Sequence, residues 1–167
     1  MHALLDQYLC EKYPKIFADR HKPMSETCMC WGFECGNGWF TLIDALCGKI
    51  QAHIDQREKD EKVVTKGDLA QVVAHQVKEK FSSLRFYYGG GDEYIEGMVD
   101  LAEELSMRTC EQCGATGHDV GTTTKGWLST LCRTHVKNSE NFSTGDPKLQ
   151  KIWEQIVLKE ESKQSKA

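Results

Sequence analysis

Four residues in the last third of the chain, Cys110, Cys113, Cys132 and His135, constrain its folding more than any other feature. They form two pairs, each with two residues between its members, and eighteen residues separate the pairs. That spacing suits two ligand pairs closing on one tetrahedral ion. Three soft thiolates and an imidazole favour zinc over magnesium or calcium, which take oxygen ligands. Four protein ligands leave no open position for water, so the expected zinc is structural. A stretch this short buries little apolar surface of its own, and metal binding of ~10 kcal/mol or more would dominate its folding.

The whole chain of 167 residues is long enough for one ordinary domain carrying such a module. Its net charge of −4 excludes a global basic field that would draw it to nucleic acid, so any such role needs a local patch. Eight cysteines less three ligands leave five, Cys10, Cys28, Cys30, Cys35 and Cys47. An odd number cannot close a full disulfide framework, which points to a reducing compartment. The first residues lack a basic run, their apolar stretch is broken at Asp6, and no membrane span is visible. A cytoplasmic location is the expectation.

Apolar periodicity supplies the rest of the architecture. Leu4, Leu5, Tyr8 and Leu9 mark a first helix limited by Pro14. Met29, Trp31, Phe33 and Cys35 alternate as a short strand, and Gly36-Asn37-Gly38 ends it. Trp39, Ile43, Leu46, Cys47, Ile50 and Ile54 share one face of a long helix. Thr65 and Asp68 form a cap-like start to a helix carrying Leu69, Val72, Val73 and Val77. Leu84, Phe86 and Tyr88 form a second strand, expected to pair antiparallel with the first, and Gly89–Gly91 a turn. Asp92 caps a helix with Ile95, Met98, Val99, Ala102 and Leu105 inward, which runs straight into the ligand pairs. There, Val120–Thr124 and Trp127–Leu131 flank Lys125-Gly126 as a hairpin. Knuckle, hairpin and second pair together predict a treble-clef arrangement. Asp146-Pro147 starts a last helix with Leu149, Ile152, Trp153 and Ile156 on one face.

The predicted fold is therefore α+β: a mainly helical body with a short antiparallel sheet and a C-terminal treble-clef or zinc-ribbon-like module. Its parts are a body over 1–107, a metal module over 108–137 packed on it, a helix over 138–158, and a disordered tail over 159–167.

Other groupings also carry residues with possible chemistry. Cys28, Cys30 and Cys35, with His21 or Cys10, do not have the spacing of paired knuckles, and buried thiols are common as small apolar residues. His118 and Asp119 are the candidate pair for an HNH-type nuclease, but they follow Cys113 in an unfavourable order. Lys125, Trp127, Arg133 and Lys137 give the module a basic, aromatic surface suited to a partner, protein or nucleic acid. Lys78, Lys80 and Arg85 beside Phe86, Tyr87 and Tyr88 form a second such cluster; neither is dense and the net charge is negative, so a solvated face around core aromatics is the expectation for both. The triple glycine lacks the G-K-[ST] of a phosphate loop.

The segments WGFECGNGWFTLID (31–44), VKEKFSSLRFYY (77–88), RTCEQCGATG (108–117) and LCRTH (131–135) resemble small zinc-ribbon-like proteins of tailed bacteriophages and prophages. The resemblance spans residues 28–137 and implies an accessory protein acting in a bacterial cytosol. Such proteins often bind a host protein, defence enzymes included. It brings no catalytic residues with it. The expectation is a non-enzymatic zinc protein that binds a macromolecule, a host or phage protein first and nucleic acid second.

Overall fold

A computed structural model of the chain describes residues 1–59, 70–137 and 141–164. It is a mixed α/β structure with four helices and two small three-stranded sheets among the described residues. Helix α1 (Ala3–Lys12) precedes a strand of two residues, β1 (Phe33–Glu34), and the long helix α2 (Phe40–Lys59). Strands β2 (Ala70–Lys80) and β3 (Ser83–Gly91) lead into α3 (Glu93–Ser106). Strands β4 (Val120–Thr123), β5 (Thr130–Cys132) and β6 (Phe142–Ser143) make the second sheet, and α4 (Pro147–Gln164) closes the chain. No described helix is long and apolar enough to cross a membrane.

The body sheet has the order β1-β2-β3, with β2 in the middle. The hairpin β2–β3 is antiparallel, whereas β1 pairs parallel to β2 through Phe33↔Val77 and Glu34↔Lys78. Helix α2 packs Ile43, Leu46, Cys47, Ile50 and Ile54 into the core, as their helical spacing predicts. Helix α3 adds Ile95, Val99 and Ala102. Asp92 caps it, accepting a hydrogen bond from the Ile95 amide at 3.0 Å.

Several expectations are corrected. The helix expected from Thr65 through Val77 is the strand β2 from Ala70 onward; Thr65, Asp68 and Leu69 lie outside the described residues. A register shift between Ala74 and Gln76 inserts one extra residue, so the buried positions fall at Val72, Ala74 and Val77. A bulge of this kind breaks the two-residue period and leaves a spacing that reads as helical. The strand expected over 29–35 is mostly a 3₁₀ turn, Met29–Trp31, followed by the two residues of β1. Its partner is β2 and parallel, not β3 and antiparallel. Trp31, expected to share the apolar face, is 62% exposed.

The triple glycine is not a turn but the end of β3, with Gly89 opposite Val73 and Gly91 opposite Ala70. Gly90, at φ 82°, approaches the β2 backbone so closely that a Cβ would lie 2.3 Å from the Gln71 carbonyl oxygen. Leu105 is 43% exposed and does not point into the core. Helix α4 reaches Gln164, well into the tail expected to be disordered; its Lys, Glu and Gln residues are good helix formers.

Two contacts around α3 carry a stability prediction. Burial works to raise the Asp92 carboxyl, but hydrogen bonds from His53 at 2.8 Å and the Ile95 amide outweigh it and hold it below its ordinary value. A depressed carboxylate contributes stability that is present above its unfolded pKa of about 3.9 and lost as pH falls through the folded value. Asp92→Asn keeps a capping side chain and is expected to flatten the acid limb of a stability–pH curve. Asp92→Ala also removes the cap and is expected to lower stability by about 1 kcal/mol in urea unfolding at neutral pH.

Candidate metal centre

The candidate ligands come from two separate pieces of chain. Cys110 and Cys113 bracket a tight turn directly after α3, where the Gly114 amide donates to the Cys110 carbonyl at 2.8 Å and the Cys110 amide to the Ala115 carbonyl at 2.7 Å. Cys132 ends β5, and the next turn, closed by the His135 amide on the Cys132 carbonyl at 2.9 Å, brings His135 round. The antiparallel pairing Val120↔Cys132 and Thr122↔Thr130 sets the second pair against the first.

The ligand atoms of Cys110, Cys113, Cys132 and His135 all lie within 4.8 Å of one another and could hold one metal ion. Their separations resemble the edges of a tetrahedron: Cys113 Sγ to Cys132 Sγ is 3.8 Å, Cys110 Sγ to His135 Nδ1 is 3.7 Å, and Cys132 Sγ to His135 Nδ1 is 3.2 Å. Metal–sulfur bonds of about 2.3 Å would give sulfur–sulfur edges of about 3.8 Å. Burial works to raise the Cys132 thiol, but hydrogen bonding with His135, Cys110 and Cys113 outweighs it and brings it down to about 6. Three sulfurs and an imidazole at these separations fit a soft divalent cation.

The other cysteines differ in kind. Burial, helped by the Asp6 charge, pushes the Cys10 thiol up to about 12. Burial also pushes Cys35 up to about 12, and Cys47, inside the α2 core, well above its ordinary value. These three are protonated at neutral pH and chemically quiet. Cys28 is exposed, and Cys30 lies 3.2 Å from the Thr27 carbonyl oxygen.

The body grips the first ligand pair through residues 36–39. The Gly38 amide donates to the Glu111 carbonyl at 2.7 Å, and the Gly36 amide to the Glu111 carboxylate at 2.9 Å. At Gly38 a Cβ would stand 2.1 Å from the Cys110 carbonyl oxygen and 2.4 Å from the Gly114 nitrogen. Beside it Trp39 is fully buried, and its Nε1 donates to the Thr109 carbonyl at 2.8 Å. Trp39→Phe is expected to lower stability by about 1 kcal/mol, because the half-buried Thr109 carbonyl loses its donor. Chemical denaturation of the metal-loaded protein measures this.

The β2–β3 turn makes a second attachment. The buried Thr130 hydroxyl donates to the Ser82 carbonyl at 2.6 Å, and the Glu111 amide to the Thr130 carbonyl at 2.9 Å. This seam brings two surfaces together that are 40 residues or more apart in the chain. Trp127, 79% exposed, and Phe81, 70% exposed, line one cleft with Lys78, Lys80 and Leu128. The two basic, aromatic clusters seen in the sequence thus meet, and Phe81 joins them. Its sequence signal is a large apolar residue inside a two-residue hairpin loop, where polar residues are the rule.

The other candidates are distributed differently. Lys125 is exposed in the β4–β5 loop, two residues before Trp127, and Lys137 is exposed beyond His135. Arg133 pairs with Asp119 at 3.2 Å, so part of its charge is already matched. His118 is 3.5 Å from Asp119, but its ring stacks on Trp153 of α4, with centroids 5.3 Å apart and planes at 18°. Phe86 is buried in the body core, and Arg85 pairs with Glu103 at 3.1 Å. No family model matches the chain, and neither a curated protein nor a solved structure matches it.

Proposed function

We propose that this is a non-enzymatic binding protein whose C-terminal module is a treble clef clipped by one structural zinc at Cys110, Cys113, Cys132 and His135. Its partner is a protein that docks on the face carrying Phe81 and Trp127. The observation that carries this reading is the pairing of two highly exposed aromatic rings at turns tied together by the Thr130–Ser82 hydrogen bond. Large rigid aromatics in a desolvatable cleft are the residues that dominate protein–protein binding energy. Four ligands saturate a tetrahedral metal, which supports a structural role for the ion. The resemblance of residues 28–137 to phage accessory proteins makes a bacterial host protein, a defence enzyme among the candidates, the expected partner.

The experiment uses the purified chain as bait in a bacterial lysate, with metal analysis of the same preparation. One zinc per chain and capture of a protein that Trp127→Ala loses are the expected results. Turnover of a nucleic acid or nucleotide, abolished by changes remote from the four ligands, would overturn the reading. His118→Ala is the substitution to include there, because it tests the nuclease alternative.

A further inference from the structure

Phe81 sits where the backbone disfavours it. The Lys80↔Ser83 pair closes the β2–β3 hairpin with a two-residue loop, and both loop residues have positive φ, 51° at Phe81 and 64° at Ser82. Such loops favour Asn-Gly, and a bulky side chain there is held against its preference. Core burial does not explain the choice, because the ring is 70% exposed. Strain of this kind persists where surrounding contacts impose it, and it clusters at binding sites. Here the contacts are clear. The Ser82 amide donates to the Glu79 carboxylate at 2.7 Å, and its carbonyl accepts from Thr130.

The cleft lined by Phe81 and Trp127 has a volume of about 360 Å³, near the lower end for ligand sites. That size suits one large apolar side chain. Its rim is positive although the chain is acidic: Lys80 Nζ lies 5.6 Å from the Phe81 ring centre, and Lys78 Nζ 5.7 Å from that of Tyr87. Glu79, the acid among the lining residues, is engaged by the Ser82 amide. Lys125 stands next to the lining residue Gly126.

We propose that this cleft takes an acidic segment of the partner protein, with one large apolar anchor seated beside Phe81 and Trp127. Carboxylates flanking the anchor pair with Lys78, Lys80 and Lys125. Single-stranded nucleic acid instead needs a positive groove that tracks several phosphates. The lysines here gather at one cleft, and Arg133 is already paired with Asp119. The inference rests on the binding role proposed above and specifies the chemistry of the partner.

The test titrates the intact, metal-loaded chain into a short dye-labelled peptide with one tryptophan among aspartates and glutamates, followed by fluorescence anisotropy. The same peptide with lysines in place of its acids, and a labelled oligothymidylate, run alongside. The acidic peptide is expected to bind and the other two probes are not. Affinity is expected to fall about tenfold or more in Trp127→Ala and in Lys80→Glu. Phe81→Asn separates binding from folding: it removes the ring and relaxes the turn, so the thermal midpoint rises while the peptide is lost. No binding of the acidic peptide, or unchanged binding to Phe81→Asn, overturns the inference. Preference for the oligothymidylate overturns the partner class. A lysate protein still lost by Trp127→Ala, with the acidic peptide inert, leaves the binding role standing and sinks the acidic-segment inference alone.

Discussion

A strong chelator is expected to melt residues 109–137 and the strand β6 while α2 and α3 stay helical, and metal analysis before chelation is expected to return one zinc per chain. The magnitudes decide this. The buried cluster of the module comprises Cys110, Val120 and Cys132, with Leu131 packed against it, and two of those four are ligands themselves. Burying a valine or leucine fully contributes about 1.5–3 kcal/mol, against ~10 kcal/mol or more for a structural zinc site. The body instead holds a continuous core from Leu9 to Ala102 that includes no ligand. Cys110→Ser and Cys132→Ser should therefore behave like the chelated protein. Amide exchange read by NMR is the measurement. Persistent protection of β4 and β5 in the metal-free chain would refute the claim that the ion holds the module together.

The second large effect is expected at Gly38→Ala, a change of one methyl group far from the ligands in sequence. A Cβ there meets the backbone of the first ligand pair at 2.1 Å and 2.4 Å, where no flexible side chain can yield. Either residues 36–39 or the turn at 110–114 must move, which breaks the hydrogen bond from the Gly38 amide to Glu111. A loss of at least about 3 kcal/mol is expected, at the upper end for overpacking. The variant should also bind zinc more weakly, because the body no longer orients Cys110 and Cys113. Competition with a chromophoric chelator reads that affinity, and wild-type affinity in Gly38→Ala would count against the coupling.

The candidate metal centre was the most legible part of the chain because ligand chemistry is local. Two pairs at a fixed spacing identify their residues whatever surrounds them, and the structure gathers all four. Helices α2 and α3 were legible for a similar reason: long runs of 3.6-residue periodicity, with Asp92 as a cap, leave little room for another reading. Strand β2 was not, because its bulge near His75 shifts the buried positions from alternation to a helical spacing. The parallel pairing of β1 depends on contacts some 44 residues apart, which no local pattern encodes. The role of Gly36 and Gly38 was hidden likewise. Their sequence reads as a turn, whereas the structure uses the missing side chains for close approach to Cys110 and Glu111.

The attachment through residues 36–39 also bears on how long each molecule survives after synthesis. The seat is translated early, and the turn that fills it follows about 70 residues later, with His135 later still. Until residues 109–111 are made and settle into it, the Trp39 edge and the Gly36 and Gly38 amides lack the partners that cover them. Exposed apolar surface and open backbone donors are what chaperones and proteases recognise. A shortage of zinc should then act on quantity before it acts on affinity. Chains lacking the ion would be removed, and those remaining would bind as well as before. Abundance in the producing cell would track the zinc supply, with the fold itself as the sensor.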